Sequence, residues 1–298
     1  MDAVTRSVAV FLHPEKEEAI DGATAFIDDI TQRGFRVAVR AVDKERLASS
    51  VREPLDVLVD DAAAPGCELA VVFGGDGTLL RAAAWALHHD IPVLGVNLGH
   101  VGFLAEMEQS DIEALPLVVD EQRYSVEERL VLDIVVKRDG VQRWHASAIN
   151  EVSLEKIARE RMLTVLVSVD GRPLSRWSCD GVLVSTPTGS TAYGFSTGGP
   201  VIWPDVQAML IVPLAAHALF NRPLVLSPES TVLLQQSIEG PHGILWCDGR
   251  TSFEVESGDE VIVTSSNHKL RIARLSEQPF TTRLVKKFAL PVRGWGRN

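Results

Sequence analysis

Apolar and polar positions follow two different periods along the first hundred residues. Short apolar runs typical of buried strands lie at 7–12, 35–39 and 91–96. Amphipathic segments lie between these runs, and the spacing of their apolar residues predicts helices over 17–33 and 43–52. This alternation of strands and helices predicts a parallel sheet covered by helices.

The pattern becomes that of a β-rich domain after about residue 124. Apolar residues alternate with others at 130–136 and 163–169, and the pairs Asp139-Gly140 and Asp170-Gly171 supply hairpin turns behind these two strands. Further short strands are predicted at 141–149, 181–185, 224–226, 231–235, 253–255 and 261–264. Short strands separated by turns predict a mostly antiparallel, sandwich-like arrangement.

The predicted fold class is therefore an α/β N-terminal domain with a parallel sheet, followed by a mostly antiparallel, β-rich C-terminal domain. We assign residues 1–124 to the first domain and 125–274 to the second, since a chain of 298 residues exceeds the usual size of one domain. Residues 275–298 contain a short basic, helix-like piece at 284–288. We expect this last segment to pack back on the first domain.

The composition and net charge of the chain argue against some classes of binding partner and cellular location. The formal net charge of −11 argues against a sequence-independent grip on nucleic acid or on an anionic membrane. The start of the chain lacks the features of a signal peptide, and no apolar run reaches the length of a membrane span. The three cysteines are widely separated and odd in number. These features predict a reduced, cytoplasmic protein without structural zinc or disulfides.

The strongest chemical signal is the run Gly74-Gly75-Asp76-Gly77-Thr78, between an apolar run and an amphipathic segment. We expect the glycines to adopt positive φ and let an anion approach the amides at the helix start, with the Thr78 hydroxyl as the cap. A carboxylate repels phosphate, so we interpret Asp76 as a proton acceptor for an attacking hydroxyl or a holder of a divalent cation. A tight turn with a solvated aspartate is the alternative.

Three further stretches extend this candidate site. The turn at 97–102 follows the next predicted strand and should lie at the same edge of the sheet as Asp76. Asn150-Glu151 offers an amide and a carboxylate that suit a ribose diol or an adenine edge, although the pair would also serve simply to end a strand. Residues 180–193 run from a strand into a loop with five Ser and Thr hydroxyls, which can converge on an anion or a sugar.

These motifs resemble a known family. The run around Asp76 alone resembles the signature shared by phosphofructokinases, lipid kinases and NAD kinases. Joined in order to Asn150-Glu151 and to 180–193, it resembles the bacterial NAD kinases over roughly residues 7–288. The resemblance implies transfer of phosphate from ATP, or in some members polyphosphate, to the 2′-hydroxyl of the adenosine ribose of NAD. It also implies Mg²⁺ or another divalent cation as cofactor, and homodimers or homotetramers.

The resemblance assigns roles to individual residues. Asp76 would accept the proton of the 2′-hydroxyl, as the catalytic residue. The phosphate-binding turn would comprise Gly74, Gly75, Gly77, Thr78 and Arg81. The remaining substrate contacts would come from Asn150, Glu151, Arg161, Asp180, Thr188, Thr191, Ala192, Tyr193 and Ser196. Two positions depart from the family pattern, since Trp203 stands where many relatives carry His and Arg250 where Gln is expected. Metal ligands are not defined.

Other functions fit the sequence less well. A lipid or sphingoid-base kinase would need an apolar acceptor channel, whereas 180–193 is polar. A dinucleotide-dependent dehydrogenase would carry a Gly-x-Gly-x-x-Gly turn after its first strand, and none follows 7–12. A non-catalytic dinucleotide sensor would share the same binding residues, and only an assay separates it from a kinase.

Overall fold

The computed structural model describes residues 5–52, 54–58, 66–98, 102–104, 109–158, 160–238, 240–275 and 279–292. The chain forms two compact units: unit 1 contains residues 1–128 and 270–298, and unit 2 contains residues 129–269. The limits predicted from the sequence differ from this division at 125–128 and 270–274. Both segments are strands of the unit 1 sheet, which is why they separate from the β-rich part of the chain.

The described residues form the following strands, in chain order: β1 (Ser7–Leu12), β2 (Arg36–Val39), β3 (Asp56–Val57), β4 (Cys67–Phe73), β5 (Val93–Val96), β6 (Ser125–Arg129), β7 (Leu132–Arg138), β8 (Val141–Ala148), β9 (Glu151–Lys156), β10 (Leu163–Val169), β11 (Arg172–Cys179), β12 (Gly181–Ser185), β13 (Met209–Leu214), β14 (Leu224–Leu226), β15 (Val232–Gln236), β16 (Gly243–Cys247), β17 (Thr251–Val255), β18 (Glu260–Ser265) and β19 (Leu270–Arg274). Their α-helices are α1 (Glu17–Gln32), α2 (Ala41–Leu47), α3 (Asp76–His89), α4 (Leu115–Asp120), α5 (Tyr193–Ser196) and α6 (Phe280–Phe288), with short 3₁₀ helices at Gln109–Ala114 and Gly189–Thr191. None of the helices in this part of the chain is both long and apolar enough to cross a membrane.

Unit 1 is a seven-stranded sheet in the order β3-β2-β1-β4-β5-β19-β6, and its pairs from β3 to β19 are parallel. Successive side chains of a strand point to opposite faces, so Val8 and Val10 pack in one core with Phe26 of α1. Phe11 points the other way and packs against Trp85 of α3, with ring centroids 5.4 Å apart. Helices therefore cover both faces, and α3 starts at the carboxyl end of β4.

Unit 2 consists of two six-stranded antiparallel sheets, in the orders β11-β10-β15-β18-β7-β8 and β14-β13-β12-β9-β16-β17. Alternate residues of both sheets share one apolar core, which includes Ile134 and Val165 from the first sheet and Val152 and Val182 from the second. Trp177 is fully buried in this core. The predicted fold class, an α/β domain with a parallel sheet followed by a β-rich sandwich, is confirmed.

Most of the predicted elements are present, with shifted ends. The strand at 7–12 is confirmed residue for residue, and the helix predicted over 17–33 ends at Gln32. The helix predicted over 43–52 begins at Ala41 and ends at Leu47. The turns at Asp139-Gly140 and Asp170-Gly171 join β7 to β8 and β10 to β11, as predicted.

Candidate active site

The predicted site residues fall in both units, and the phosphate turn belongs to unit 1. The strand β4 ends at Phe73, and the Gly74 amide donates to the carbonyl of Val96 at the end of β5 (3.0 Å). The helix α3 then begins at Asp76 with Gly75 as its N-cap. The turn thus lies at the carboxyl edge of the parallel sheet, where ligands of such sheets bind.

The glycine requirement at this turn has a different cause from the predicted one. None of Gly74, Gly75 and Gly77 has a positive φ, so the expectation of left-handed backbone here is wrong. A Cβ on Gly74 would lie 2.6 Å from Oγ1 of Thr78, whereas a Cβ on Gly75 or Gly77 would meet open space. Gly74 is therefore required because the first turn of α3 packs directly onto it.

The predicted cap of α3 is also wrong. Thr78 lies inside the first turn of the helix, and its amide donates to the carbonyl of Gly75 (3.0 Å). No side chain caps α3 at Gly75. Thr78 is 5% exposed, because it packs under the turn against Gly74.

The carboxylate of Asp76 is fixed by backbone amides from the loop after β5. The Phe103 amide donates to Oδ2 (3.0 Å), and the Leu104 amide donates to Oδ1 (3.2 Å). A Cβ on Gly102 would lie 2.9 Å from Cγ of Asp76, so a glycine is needed for the backbone to approach this closely. The predicted proximity of this turn to Asp76 is confirmed at Gly102, while residues 99–101 lie outside the described residues.

In unit 2, Asn150 precedes β9 and Glu151 is its first residue, and the backbone of both is bonded to Asp248. The Asp248 carboxylate accepts the amides of Ile149 (2.9 Å), Asn150 (2.7 Å) and Glu151 (3.2 Å). The Asp248 amide in turn donates to the carbonyl of Glu151 (3.0 Å). This residue was missed at the sequence level, where Asp248-Gly249 carried only the signal of a hairpin turn.

The pKa of Glu151 is strongly shifted from its ordinary value. Glu151 is 8% exposed, and its Oε2 has no hydrogen-bond partner. Burial raises the pKa of Glu151 to about 8, with a further contribution from the charge of Asp248, while the backbone amide of Tyr193 lowers it. A buried acceptor without a partner is costly, and a bound ligand is one way to satisfy it.

The hydroxyl-rich loop is packed against the same segment. The Thr186 hydroxyl donates to the carbonyl of Ile149 (2.6 Å), and the Ser185 hydroxyl donates to that of Asn150 (3.1 Å). The Ser190 hydroxyl, fully buried, donates to the carbonyl of Pro187 (2.7 Å) and accepts the amide of Ile202 (2.9 Å). Several of the hydroxyls therefore fix the loop rather than face outward.

A cavity of about 370 Å³ opens beside this loop. Its lining includes Asp180, Tyr193 and Thr197, with Glu155 and Lys156 on the β9 side. Lys156 forms an ion pair with Asp180 (2.5 Å between Nζ and Oδ1). Pro213, Leu214 and Ala215 complete the lining, so the cavity brings two predicted binding residues together between charged and apolar groups.

The other predicted residues lie at varied places. Thr188 is buried, and Thr191 is half-buried with its hydroxyl bonded to the carbonyl of Thr188 (3.2 Å). The remaining five are half-buried or exposed: Arg81 on α3, Ala192 and Ser196 at α5, Arg161 between β9 and β10, and Tyr193 on the cavity wall. Arg161 forms no hydrogen bond or ion pair with another candidate within the described part of the chain. Of the two departures, Trp203 and Arg250 are both exposed.

Over the residues that the structure describes, no group of three or more His, Cys, Asp or Glu side chains has the arrangement of a metal site. The Asp76 carboxylate is one oxygen donor already held by two amides. Such a donor set does not make a complete cage, but it fits an ion such as Mg²⁺ whose other ligands are phosphate oxygens and water.

Both units match family models of one kind of phosphotransferase. The model "ATP-NAD kinase N-terminal domain" matches residues 8–124, and the model "ATP-NAD kinase C-terminal domain" matches residues 149–275. Among curated proteins, the chain is 53% identical to the NAD kinase of Cutibacterium acnes over 293 residues, covering 98% of this chain and 92% of that protein. It is 47% identical to the NAD kinase of Mycobacterium tuberculosis over 300 residues, covering 97% and 98%. The chain belongs to the NAD kinase family.

Solved structures share the fold. Yeast NADH kinase complexed with NADH superposes with a TM-score of 0.88 and 23% identity, covering 98% of this chain and 89% of that one. An NAD kinase from Archaeoglobus fulgidus in complex with ATP superposes with a TM-score of 0.70 and 22% identity, covering 96% and 100%. At this level of identity the likeness concerns the fold.

Proposed function

We propose that this protein is an NAD kinase that transfers the terminal phosphoryl group of ATP to the 2′-hydroxyl of the adenosine ribose of NAD, giving NADP. The observation that carries the proposal is the Asp76 carboxylate, fixed by two backbone amides at a strand-to-helix turn, in a chain that belongs to the NAD kinase family. The lipid-kinase and dehydrogenase alternatives have no support from the family matches.

Asp76 acts in this proposal as the proton acceptor. The 2′-oxygen forms a bond to the terminal phosphorus, the bond from that phosphorus to the leaving ADP oxygen breaks, and the hydroxyl proton passes to the carboxylate. From the amides of the described residues each carboxylate oxygen accepts one, and each keeps further acceptor capacity for a hydroxyl. Phosphoryl transfer depends mainly on positioning and charge, so a carboxylate held in one orientation suits the task.

The other predicted residues bind substrate. Gly74, Gly75, Gly77 and Thr78 form the turn beneath the phosphates, and Arg81 adds positive charge one helical turn on. The dinucleotide is bound by unit 2, where the unpartnered oxygen of Glu151 and the cavity beside Asp180 and Tyr193 support this assignment. The remaining contacts are assigned to Asn150, Arg161, Thr188, Thr191, Ala192 and Ser196.

The metal in this proposal arrives with the nucleotide. Mg²⁺, or another divalent cation, would neutralise the triphosphate, and Asp76 is the protein ligand that we propose for it from the described residues. Polyphosphate is proposed as a second phosphoryl donor, because it contains the same phosphoanhydride bond as ATP. It lacks the adenine base and the ribose.

Assembly and location complete the proposal. Several large apolar side chains of unit 2 are well exposed, namely Trp203, Val206, Leu219, Phe220 and Val225. Exposed apolar surface of this kind is commonly buried between subunits, which supports a homodimer or homotetramer. Cys67, Cys179 and Cys247 are free thiols, which suits the reducing cytoplasm proposed here.

A coupled assay tests the activity. The purified protein is incubated with NAD, Mg²⁺ and either ATP or polyphosphate, and any NADP formed is reduced by an NADP-specific dehydrogenase. We expect NADPH to appear with ATP and to require the divalent cation. NAD binding without product from any donor would instead identify a dinucleotide sensor.

A further inference from the structure

The C-terminal helix α6 contributes a buried cation beside the loop that holds Asp76. Arg283 is 7% exposed, although arginine is rarely buried without partners. Its Nη1 donates to the carbonyl of Phe103 (3.1 Å), across 180 residues of sequence. The amide of the same residue, Phe103, donates to the Asp76 carboxylate (3.0 Å). One residue of the loop therefore links the guanidinium to the predicted catalytic carboxylate.

Aromatic packing joins the same two segments. The ring of Phe103 lies against Phe280 (5.8 Å between centroids) and Phe288 (5.7 Å), which are the first and last residues of α6. Arg283 lies between these two residues in the sequence of the same helix. The rings of Phe280 and Phe288 thus fix the side chain of Phe103, and the Arg283 guanidinium fixes its carbonyl.

The charges around Arg283 explain why it tolerates burial. Burial lowers the pKa of Arg283, whereas the negative charges of Glu127 and Asp76 raise it. Glu127 also accepts a hydrogen bond from Nε of the buried Arg274 (2.8 Å). The carboxylates of Glu127 and Asp76 thus offset part of the cost of burying the Arg283 guanidinium.

We propose that Arg283 is a positioning residue, which holds the Phe103-Leu104 backbone so that its two amides fix the orientation of the Asp76 carboxylate. The effect on kcat that we expect rests on the proposed function. The effect on the Phe103 and Leu104 amides rests only on the hydrogen bonds described above. Loss of the guanidinium frees the Phe103 carbonyl, lets the loop move and leaves the carboxylate without a fixed orientation. A displacement of about 1 Å at a reacting group costs on the order of a hundredfold in rate.

The test compares R283Q and R283K with K287Q, which removes a charge from an exposed position of the same helix. We expect R283Q to lower kcat by at least about tenfold while the KM values for NAD and ATP stay within about twofold, since substrate binding is left in place. R283K, which keeps the charge and places it on an ammonium group that can still donate to the Phe103 carbonyl, should recover part of the lost kcat. K287Q should behave as wild type.

Hydrogen exchange supplies a readout that does not depend on activity. Mass spectrometry with residue-level fragmentation should show faster exchange of the Phe103 and Leu104 amides in R283Q, by about tenfold or more, with the amides of β1 unchanged. Wild-type kcat in both Arg283 variants, or unchanged exchange at these two amides, would overturn the proposal. If R283Q does not fold, R283K carries both measurements. If wild-type protein lacks kinase activity, the proposed function fails, and the exchange data still decide the role of Arg283.

Discussion

At the scale of single residues, the two acids of the site are held in opposite ways. Asp76 accepts two amides and is partly exposed, so its carboxylate is oriented but still reachable. Glu151 is buried, and one of its oxygens has no partner. The first arrangement favours a fixed proton acceptor, and the second favours a group that is completed by a ligand.

The raised pKa of Glu151 makes a prediction about stability and pH. Its pKa is about 8 in the folded protein against a reference value of 4.5, so the folded state keeps a proton that the unfolded state has lost between these values. The free energy of unfolding therefore decreases as pH rises from about 5 to 8, by ~1 kcal/mol per pH unit. Glu151→Gln mimics the protonated acid and should lose less stability over this window.

Thermal unfolding of wild type and E151Q at pH 5, 6.5 and 8 checks this expectation. The difference in Tm between the two proteins should widen steadily in favour of E151Q as pH rises. E229Q, at an exposed glutamate of unit 2, serves as the control and should track wild type. Parallel curves for wild type and E151Q would mean that Glu151 is ionised in the folded protein across the whole range.

At the scale of elements, the turn between β4 and α3 depends on close packing rather than on unusual backbone angles. A methyl group on Gly74 would lie 2.6 Å from Oγ1 of Thr78, but one on Gly77 would meet open space. We expect Gly74→Ala to cost about 1–3 kcal/mol of stability and to displace the start of α3. Gly77→Ala should be neutral or stabilise by up to about 1 kcal/mol, because alanine favours the helix.

Chemical denaturation of the two alanine variants measures both effects. The pair forms a matched control, since the same methyl group is added at two glycines of one turn, and only the one on Gly74 would meet Thr78. Equal stability of G74A and wild type would show that Thr78 moves aside without cost, and the steric account of Gly74 would be wrong.

In unit 2, the turn between β16 and β17 holds the backbone of a predicted binding segment through Asp248. Asp248 accepts three amides of the 149–151 segment, so Asp248→Asn replaces one acceptor oxygen by an NH₂ group that faces N–H donors. We expect the KM for NAD to rise by about tenfold or more, because each lost or opposed hydrogen bond costs on the order of 1–3 kcal/mol.

Asp170 provides the matched control for this change. It occupies the same position of another Asp-Gly hairpin turn and accepts the amide of Thr231 (2.9 Å), but it touches none of the predicted binding residues. Steady-state kinetics of D170N should therefore give a KM near that of wild type. A similar KM in D248N and D170N would remove Asp248 from the binding account.

The sequence predicted the elements whose signals are local. The glycine turn, the Asp-Gly hairpins and the strand at 7–12 each depend on adjacent residues, and each was found. The sequence yielded no prediction, or a wrong one, for contacts that are made by residues far away in the chain. Nothing near Asp76 in sequence indicates that its partners are the amides of Phe103 and Leu104, and nothing near Asn150 indicates Asp248, 98 residues away.

The strand β13 illustrates another limit. Pro213 interrupts the apolar run Met209–Leu214, and proline disfavours a central strand. The structure accommodates it because β14 pairs only with residues 209–211, so Pro213 faces a neighbouring strand on the β12 side alone. Pairing of this kind depends on the length of another strand, which the local pattern does not contain.

At the scale of the whole molecule, both units match domains of the NAD kinase family, but they contribute different chemical groups. Unit 1 supplies the glycine turn before α3 and an oriented carboxylate, and unit 2 supplies buried polar groups and a cavity. The acidic net charge of −11 leaves the recognition of polyanionic substrates to local amides and arginines.

The most direct test of this account is the rate of NADP formation by Asp76→Asn at saturating NAD, ATP and Mg²⁺. Asparagine keeps the shape and one acceptor oxygen, but its NH₂ group faces one of the two amides that Asp76 accepts, so we expect a folded variant of somewhat lower stability. Calorimetry verifies beforehand that the variant is folded and binds NAD. We predict that kcat falls by about a hundredfold or more, because the proton acceptor is lost. A variant that binds NAD normally and forms NADP at the wild-type rate would contradict the account.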